Sequence, residues 1–188
     1  MAAARPPFSF ETGPKTKERA PVARRFRGSE TYKVDAKGRV SIPAAFRRVI
    51  EASDPDWVPG NRPNIVLVYG PERQTWLEVY TIKAIEEIDA QIEDMQRNSA
   101  DRLQLEEWMH GQAQELQIDE DGRLVLPQRL RDKIGLEGEA FFISAGDYFK
   151  IWKPETYQAH YAERQRRLAE QYPDDFDPRS LLPGRPKG

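Results

Sequence analysis

Apolar residues along this chain come in short alternating bursts, each followed by a stretch at helical spacing, and the pattern runs twice. Tyr32-Lys33-Val34 predicts a short strand, and Asp35 to Gly38 a turn in which Gly38 supplies the left-handed position. Val40 and Ile42 alternate with Arg39 and Ser41, which predicts a return strand with the two kinds of side chain on opposite faces. Pro43 stands where a first helical residue is expected, with Phe46, Val49 and Ile50 on one face behind it. Further on, Leu124 and Leu126 repeat the strand. Pro127 opens a helix carrying Leu130 and Ile134, and Gly135 ends it. The shared unit reads as strand, turn, strand and a one-turn helix.

Another strand pair and a helix follow each unit. Residues 64–69 and 75–80 predict the first pair, 140–144 and 148–152 the second. Ile82, Ile85, Ile88, Ile92 and Met95 mark one amphipathic helix, and Tyr157, Tyr161, Arg164 and Leu168 another. Ser99 is placed to cap a connecting helix with Leu103, Leu105, Trp108 and Met109, closed by Gly111. The expected fold class is α+β.

The two units are an internal repeat. Aligning residues 34–48 with 118–132, an offset of 84, makes five of fifteen positions identical (Asp35/Asp119, Gly38/Gly122, Arg39/Arg123, Pro43/Pro127, Arg47/Arg131). Four more exchange one apolar residue for another. That offset is too long for a solenoid and suits a duplicated small module. Neither half has strands enough for a closed core, so the halves are expected to pair as an intrachain pseudo-dimer. Residues 1–25, with four prolines and six cations, read as a disordered extension, and 172–188 as a flexible tail.

Composition narrows the chemistry. The chain has 188 residues and no Cys, which removes disulfides, thiolate metal sites and a cysteine nucleophile. His110 and His160 are the two histidines, and neither lies in a metal-ligand spacing. His110 is expected at a helix end, and Trp76, Trp108 and Trp152 in packing. No apolar run reaches the roughly 20 residues of a membrane span, and the first residues lack a secretory apolar stretch, so a cytoplasmic chain is expected. The formal net charge of −2 conceals a segregation. Residues 24–48 carry eight cations and two acids, whereas residues 78–121 carry thirteen acids and three cations. The first stretch can attract a polyanion that the second repels. Within the second, Glu86, Glu87, Asp89, Glu93 and Asp94 are expected to form a solvated helix face.

Phe26-Arg27-Gly28, then Asp35-Ala36-Lys37-Gly38-Arg39-Val40-Ser41-Ile42-Pro43, then Asp119, Gly122, Arg123, Leu124, Pro127, Leu130 and Arg131 together resemble the MraZ family over residues 26–171. The family usually begins at the equivalent of Phe26, so the extension departs from it. The resemblance implies duplicated SpoVT-AbrB modules, swapped-hairpin β-barrels, at 29–83 and 112–156. A helical connector at 84–111 and a C-terminal helix at 157–171 complete the expected organisation. It also implies a transcriptional regulator associated with the nucleoid. Such a regulator binds double-stranded DNA at G-rich direct repeats upstream of the division and cell-wall gene cluster, as a ring-like homo-oligomer. No enzyme activity, cofactor, metal, membrane or small-molecule substrate is expected.

The two turns are expected to divide the labour. Asp35–Arg39 and Asp119–Arg123 can each close a turn as an ion pair, with Gly38 and Gly122 as the turn residues. Ala36, Lys37 and Arg48 of the first copy become Glu120, Asp121 and Asp132 in the second, so only the first turn suits phosphates. Lys37 is expected on a phosphate and Arg39 on guanine O6 and N7, with Arg27, Lys33 and Arg47 adding backbone contacts. Asp119, Gly122 and Arg123 are expected to be structural. The rival reading is an antitoxin-like barrel that binds a protein partner, with DNA binding secondary. A catalytic Asp35/Asp119 pair is disfavoured because each Asp already has an Arg in reach.

Overall fold

The computed structural model describes residues 25–183. The expectations for residues 1–24 and 184–188 lie outside the described residues. In chain order the elements are β1 (Ser29–Lys33), β2 (Arg39–Ser41), α1 (Ala44–Ala52), β3 (Asn64–Val68), β4 (Trp76–Thr81), α2 (Ile82–Glu93) and α3 (Ala100–Glu106). They continue with β5 (Ala113–Gln117), β6 (Arg123–Val125), α4 (Gln128–Ile134), β7 (Glu139–Ser144), β8 (Tyr148–Trp152) and α5 (Pro154–Gln171). A π-helical turn at Glu107–Gly111 extends α3, and a 3₁₀ turn at Pro178–Leu181 follows α5. The mixed α+β class is as expected. No helix among the described residues is long and apolar enough to cross a membrane.

Strands pair between the halves of the chain. The six-stranded antiparallel sheet runs β1-β7-β8-β4-β3-β5, and β2 and β6 form a separate two-stranded ribbon. The simple hairpin expected from Tyr32 to Ile42 is thereby corrected. β1 lies on β7 and β2 lies on β6, and the hairpin's own arms meet only near the turn, through the Val34–Val40 bridge and the contacts between Asp35 and Arg39. The strand pairings and turn contacts between the halves have counterparts with the halves exchanged. β1 on β7 is matched by β5 on β3, and the Ile42 amide donating to Gly122 O (2.9 Å) by the Leu126 amide donating to Gly38 O (2.8 Å).

The helices after the turns differ slightly from expectation. Pro43 and Pro127 are the residues just before α1 and α4, extended at ψ 137° and 141°, so the helices begin one position later. With nine and seven residues they exceed one turn. Phe46, Val49 and Ile50 of α1 and Leu130 and Ile134 of α4 are buried, as their spacing predicts. Gly135 ends α4 in the left-handed conformation at φ 64°. Ser99 caps α3 and Thr81 caps α2, each hydroxyl accepting from an amide three residues on.

The main core is shared by both halves. Val40, Ile42, Ile65, Leu67 and Leu77 from the first meet Leu124, Leu126, Phe142, Phe149 and Ile151 from the second. Phe26, 3% exposed, packs against Phe46 and Phe149 in a cluster in which each pair of ring centroids is 5.1 Å apart. Its amide donates to Gly146 O at 2.7 Å, which ties the chain's entry to the far half. A smaller cluster forms where Ala84 and Ile85 of α2 cover Val66, Val68 and Tyr80.

Where β4 meets β8, Trp76 stacks on Trp152 and Tyr80 on Tyr148, both at 4.7 Å. Between these stacks Glu78 accepts from Trp76 Nε1 and the Tyr80 hydroxyl, and Lys150 Nζ lies 3.4 Å from Glu78. Burial, with Glu78 beside it, pushes the Tyr80 phenol well above its ordinary pKa. Helix α5 covers this face only through its first turns, with Tyr157 against Phe141 and His160 against Trp152. Tyr161, one turn on, is 49% exposed, so the expected apolar stripe is covered at its start and opens at Tyr161.

Candidate nucleic-acid interface

Both turns are built from one Asp. The Asp35 carboxylate accepts the backbone amides of Lys37 and Arg39 at 2.9 Å and the Arg39 side chain Nε at 2.6 Å. Asp119 likewise accepts the Arg123 amide at 2.8 Å and its Nε at 3.2 Å. The donated hydrogen bonds, that of the Arg39 amide foremost, hold the Asp35 carboxyl below its ordinary range. At Asp119 partial burial works the other way, and the hydrogen bonds from Arg123 outweigh it, so that carboxyl is also lowered.

Two glycines let the turns close against each other. Gly38 and Gly122 have φ of +80° and +74°, where a side chain is strained. A Cβ at Gly38 would also lie 2.5 Å from Leu126 O and 2.9 Å from Arg131 Nε. A Cβ at Gly122 would lie 2.7 Å from Arg47 Cζ. The repeated arginines therefore act as crossed struts, each laid over the other half's glycine. Arg131 also donates from Nε to Leu126 O at 3.2 Å, whereas the buried Nε of Arg47 has no partner among the described residues. Arg47, expected to add a backbone contact to DNA, is placed half-buried with its guanidinium against Gly122 of the second turn. Nothing in the local sequence of Arg131 marks its role, which exists only once the halves meet.

The ribbon β2–β6 sets the remaining geometry. Arg39 lies opposite Val125, Val40 opposite Leu124, and Ser41 opposite Arg123. Val40 and Leu124 point into the core, so Arg39, Ser41, Arg123 and Val125 share the outer face. Although the two arginines sit on one surface, their circumstances differ. Arg123 Nη2 is also bound to Asp121, whereas among the described residues no group engages the Nη nitrogens of Arg39. The carboxylates around Arg123, with the Asp119 hydrogen bond foremost, raise its pKa further. Glu120, beside it, is paired with Arg62 at 2.8 Å. Lys37 is exposed at the tip of the first turn.

The structure therefore brings Lys37 and Arg39 together on one turn, with Lys33 exposed two residues before Asp35. Arg27, exposed at the other end of β1, is six residues from Lys33 and stands roughly 20 Å away along an extended chain. It does not join the turn. His110 pairs with Asp89 at 2.9 Å at the end of the connecting helix, and Glu86, Glu87, Glu93 and Asp94 are exposed. Sequence reasoning passed over Val125. Its signal was available: an apolar residue at the outward-alternating position of a half-buried strand.

Comparison with known proteins places this architecture. The family model for the MraZ protein, described as antitoxin-like, matches residues 109–177. The Transcriptional regulator MraZ of Ruegeria sp. (strain TM1040) is 55% identical over 163 residues, covering 87% of this chain and 98% of that protein. Its namesake in Ruegeria pomeroyi is 52% identical over the same shares, and that of Parvibaculum lavamentivorans is 37% identical over 76% of this chain and 84% of its own. With relatives this similar along nearly their whole length, and with the turn residues that carry the resemblance in place, the chain belongs to the MraZ family.

Proposed function

We propose that this chain is a sequence-specific DNA-binding transcriptional regulator that reads the major groove with its first turn and the β2–β6 ribbon. One observation carries the reading: of two turns with the same Asp–Arg construction, the first leaves its guanidinium fork and Lys37 open, while the second is neutralised by Asp119 and Asp121. An open fork matches guanine O6 and N7, and a two-stranded ribbon fits the major groove. Relatives named transcriptional regulators support the class. The matched cross-half pairings support reading residues 29–83 and 112–156 as two SpoVT-AbrB modules joined as an intrachain pseudo-dimer.

The acting species is a ring-like homo-oligomer on G-rich direct repeats upstream of the division and cell-wall gene cluster, at the nucleoid. A single turn offers few cations, so tight binding needs several copies on successive repeats. The open end of the α5 stripe and exposed Leu103 on α3 support self-association. The test is fluorescence anisotropy with the duplex upstream of its own gene against a scrambled one, in a salt series, alongside sedimentation velocity. The reading expects preference for the upstream duplex, a log–log salt slope of about 0.9 per neutralised phosphate, and a species larger than one chain. Equal binding to both duplexes at every salt concentration contradicts it.

A further inference from the structure

Val125 is an aliphatic side chain left exposed on a strand. Among the described residues the large hydrophobics exposed to solvent lie in loops, helices and the C-terminal segment, with Val125 the single exception on a strand. It is 47% exposed, while its neighbours Leu124 and Leu126 are 0% and 1% exposed. Its side chain stands on the outer face of the ribbon directly across from Arg39. Directly opposed residues have Cβ atoms about 4.5–5.5 Å apart, between one and two base-pair steps of about 3.4 Å. The matching residue of the first copy is Ser41, opposite Arg123, so the ribbon face has two chemically different ends. One end carries an open guanidinium beside an aliphatic group, and the other a neutralised guanidinium beside a hydroxyl.

We infer that Val125 is a specificity-determining residue that contacts the C5-methyl of a thymine in the base pair next to the guanine read by Arg39. This rests on the DNA-reading function proposed above. Valine offers neither donor nor acceptor, and the thymine methyl is the apolar group that base edges present in the major groove. The arrangement also makes reading directional. The Arg39–Val125 end recognises a guanine and its thymine neighbour, and the Ser41–Arg123 end contributes little, because Arg123 is held by Asp119 and Asp121. A ribbon with one reading end has a polarity, which is what direct rather than inverted repeats require.

Replacing thymine by deoxyuridine removes that methyl and leaves every hydrogen-bonding edge intact. Anisotropy is measured with the upstream duplex made with thymidine, the same duplex made with deoxyuridine, and a scrambled thymidine duplex. Wild type is compared with Val125→Ser and Val125→Gly, neither of which offers an apolar side-chain surface, with thermal melts to establish folding. Losing burial of one methyl corresponds to about three- to fivefold in affinity. Wild type is expected to bind the uridine duplex weaker by that factor, and the folded variants to bind the thymidine duplex weaker by the same factor with no preference between the two. Equal affinity of wild type for both duplexes, or a thymine preference retained in the folded variants, overturns the role of Val125 while leaving the DNA-reading function standing. Failure of wild type to prefer the upstream thymidine duplex over the scrambled one removes both.

Discussion

Asp35 and Asp119 are each hydrogen-bonded to the backbone and side chain of the arginine four residues on, and this local contract makes the turn. Both carboxyls have folded pKa values below the ordinary 3.8, so ionisation and folding support each other. The resulting stability is fully present above the unfolded pKa and is lost as pH falls through the lower folded values. Melting temperature followed from about pH 7 to about pH 3 should therefore drop for wild type below about pH 4. The Asp35→Asn/Asp119→Asn double variant, less stable at neutral pH, should show a shallower drop there, and parallel curves would contradict the turn chemistry. The Asp, Gly and Arg of each turn were legible in the sequence because they interact within five residues. The roles of Arg47 and Arg131 were not, because each lies over a glycine some 75 or 93 positions away in the chain.

At the scale of elements, most strands and helices follow from period and punctuation: β3, β4, β7 and β8 agree with the expectation to within a residue, whereas β1 and α5 begin three residues earlier than expected and β5 was not anticipated. Partner choice was less legible. A strand such as β1 alternates in the same way whether it pairs with β2 or β7, and only the core that closes on pairing decides between them. The sequence motif at Phe26-Arg27-Gly28 is explained by this exchange. Phe26 leads into β1 but is buried against Phe149 of the other half, with Gly28 O accepting the Ser144 amide at 3.0 Å. Phe26→Ala removes a ring from a core that cannot refill it, which should cost about 3–5 kcal/mol of unfolding free energy by urea titration. A loss below about 1 kcal/mol would mean that the two halves do not depend on this residue for their join.

At the scale of the whole molecule, the two copies of the turn have become chemically unlike. Copies that still share Asp, Gly, Arg, Pro and Arg at fixed places have diverged in the charges between them, so the first turn keeps an exposed Lys37 and the second is balanced by its own acids. Glu86, Glu87, Glu93 and Asp94, on and just after α2, form an exposed acidic surface of the sign that repels a polyanion. The charge divergence was visible in the sequence. The common outer face of Arg39 and Arg123 required the ribbon register. The direct test of this asymmetry is the anisotropy of Arg39→Ala and Arg123→Ala, both verified as folded, on the upstream duplex at fixed salt. The account predicts that Arg39→Ala loses about 1–3 kcal/mol of specific binding while Arg123→Ala stays close to wild type. Equal losses, or a larger loss for Arg123→Ala, would contradict it.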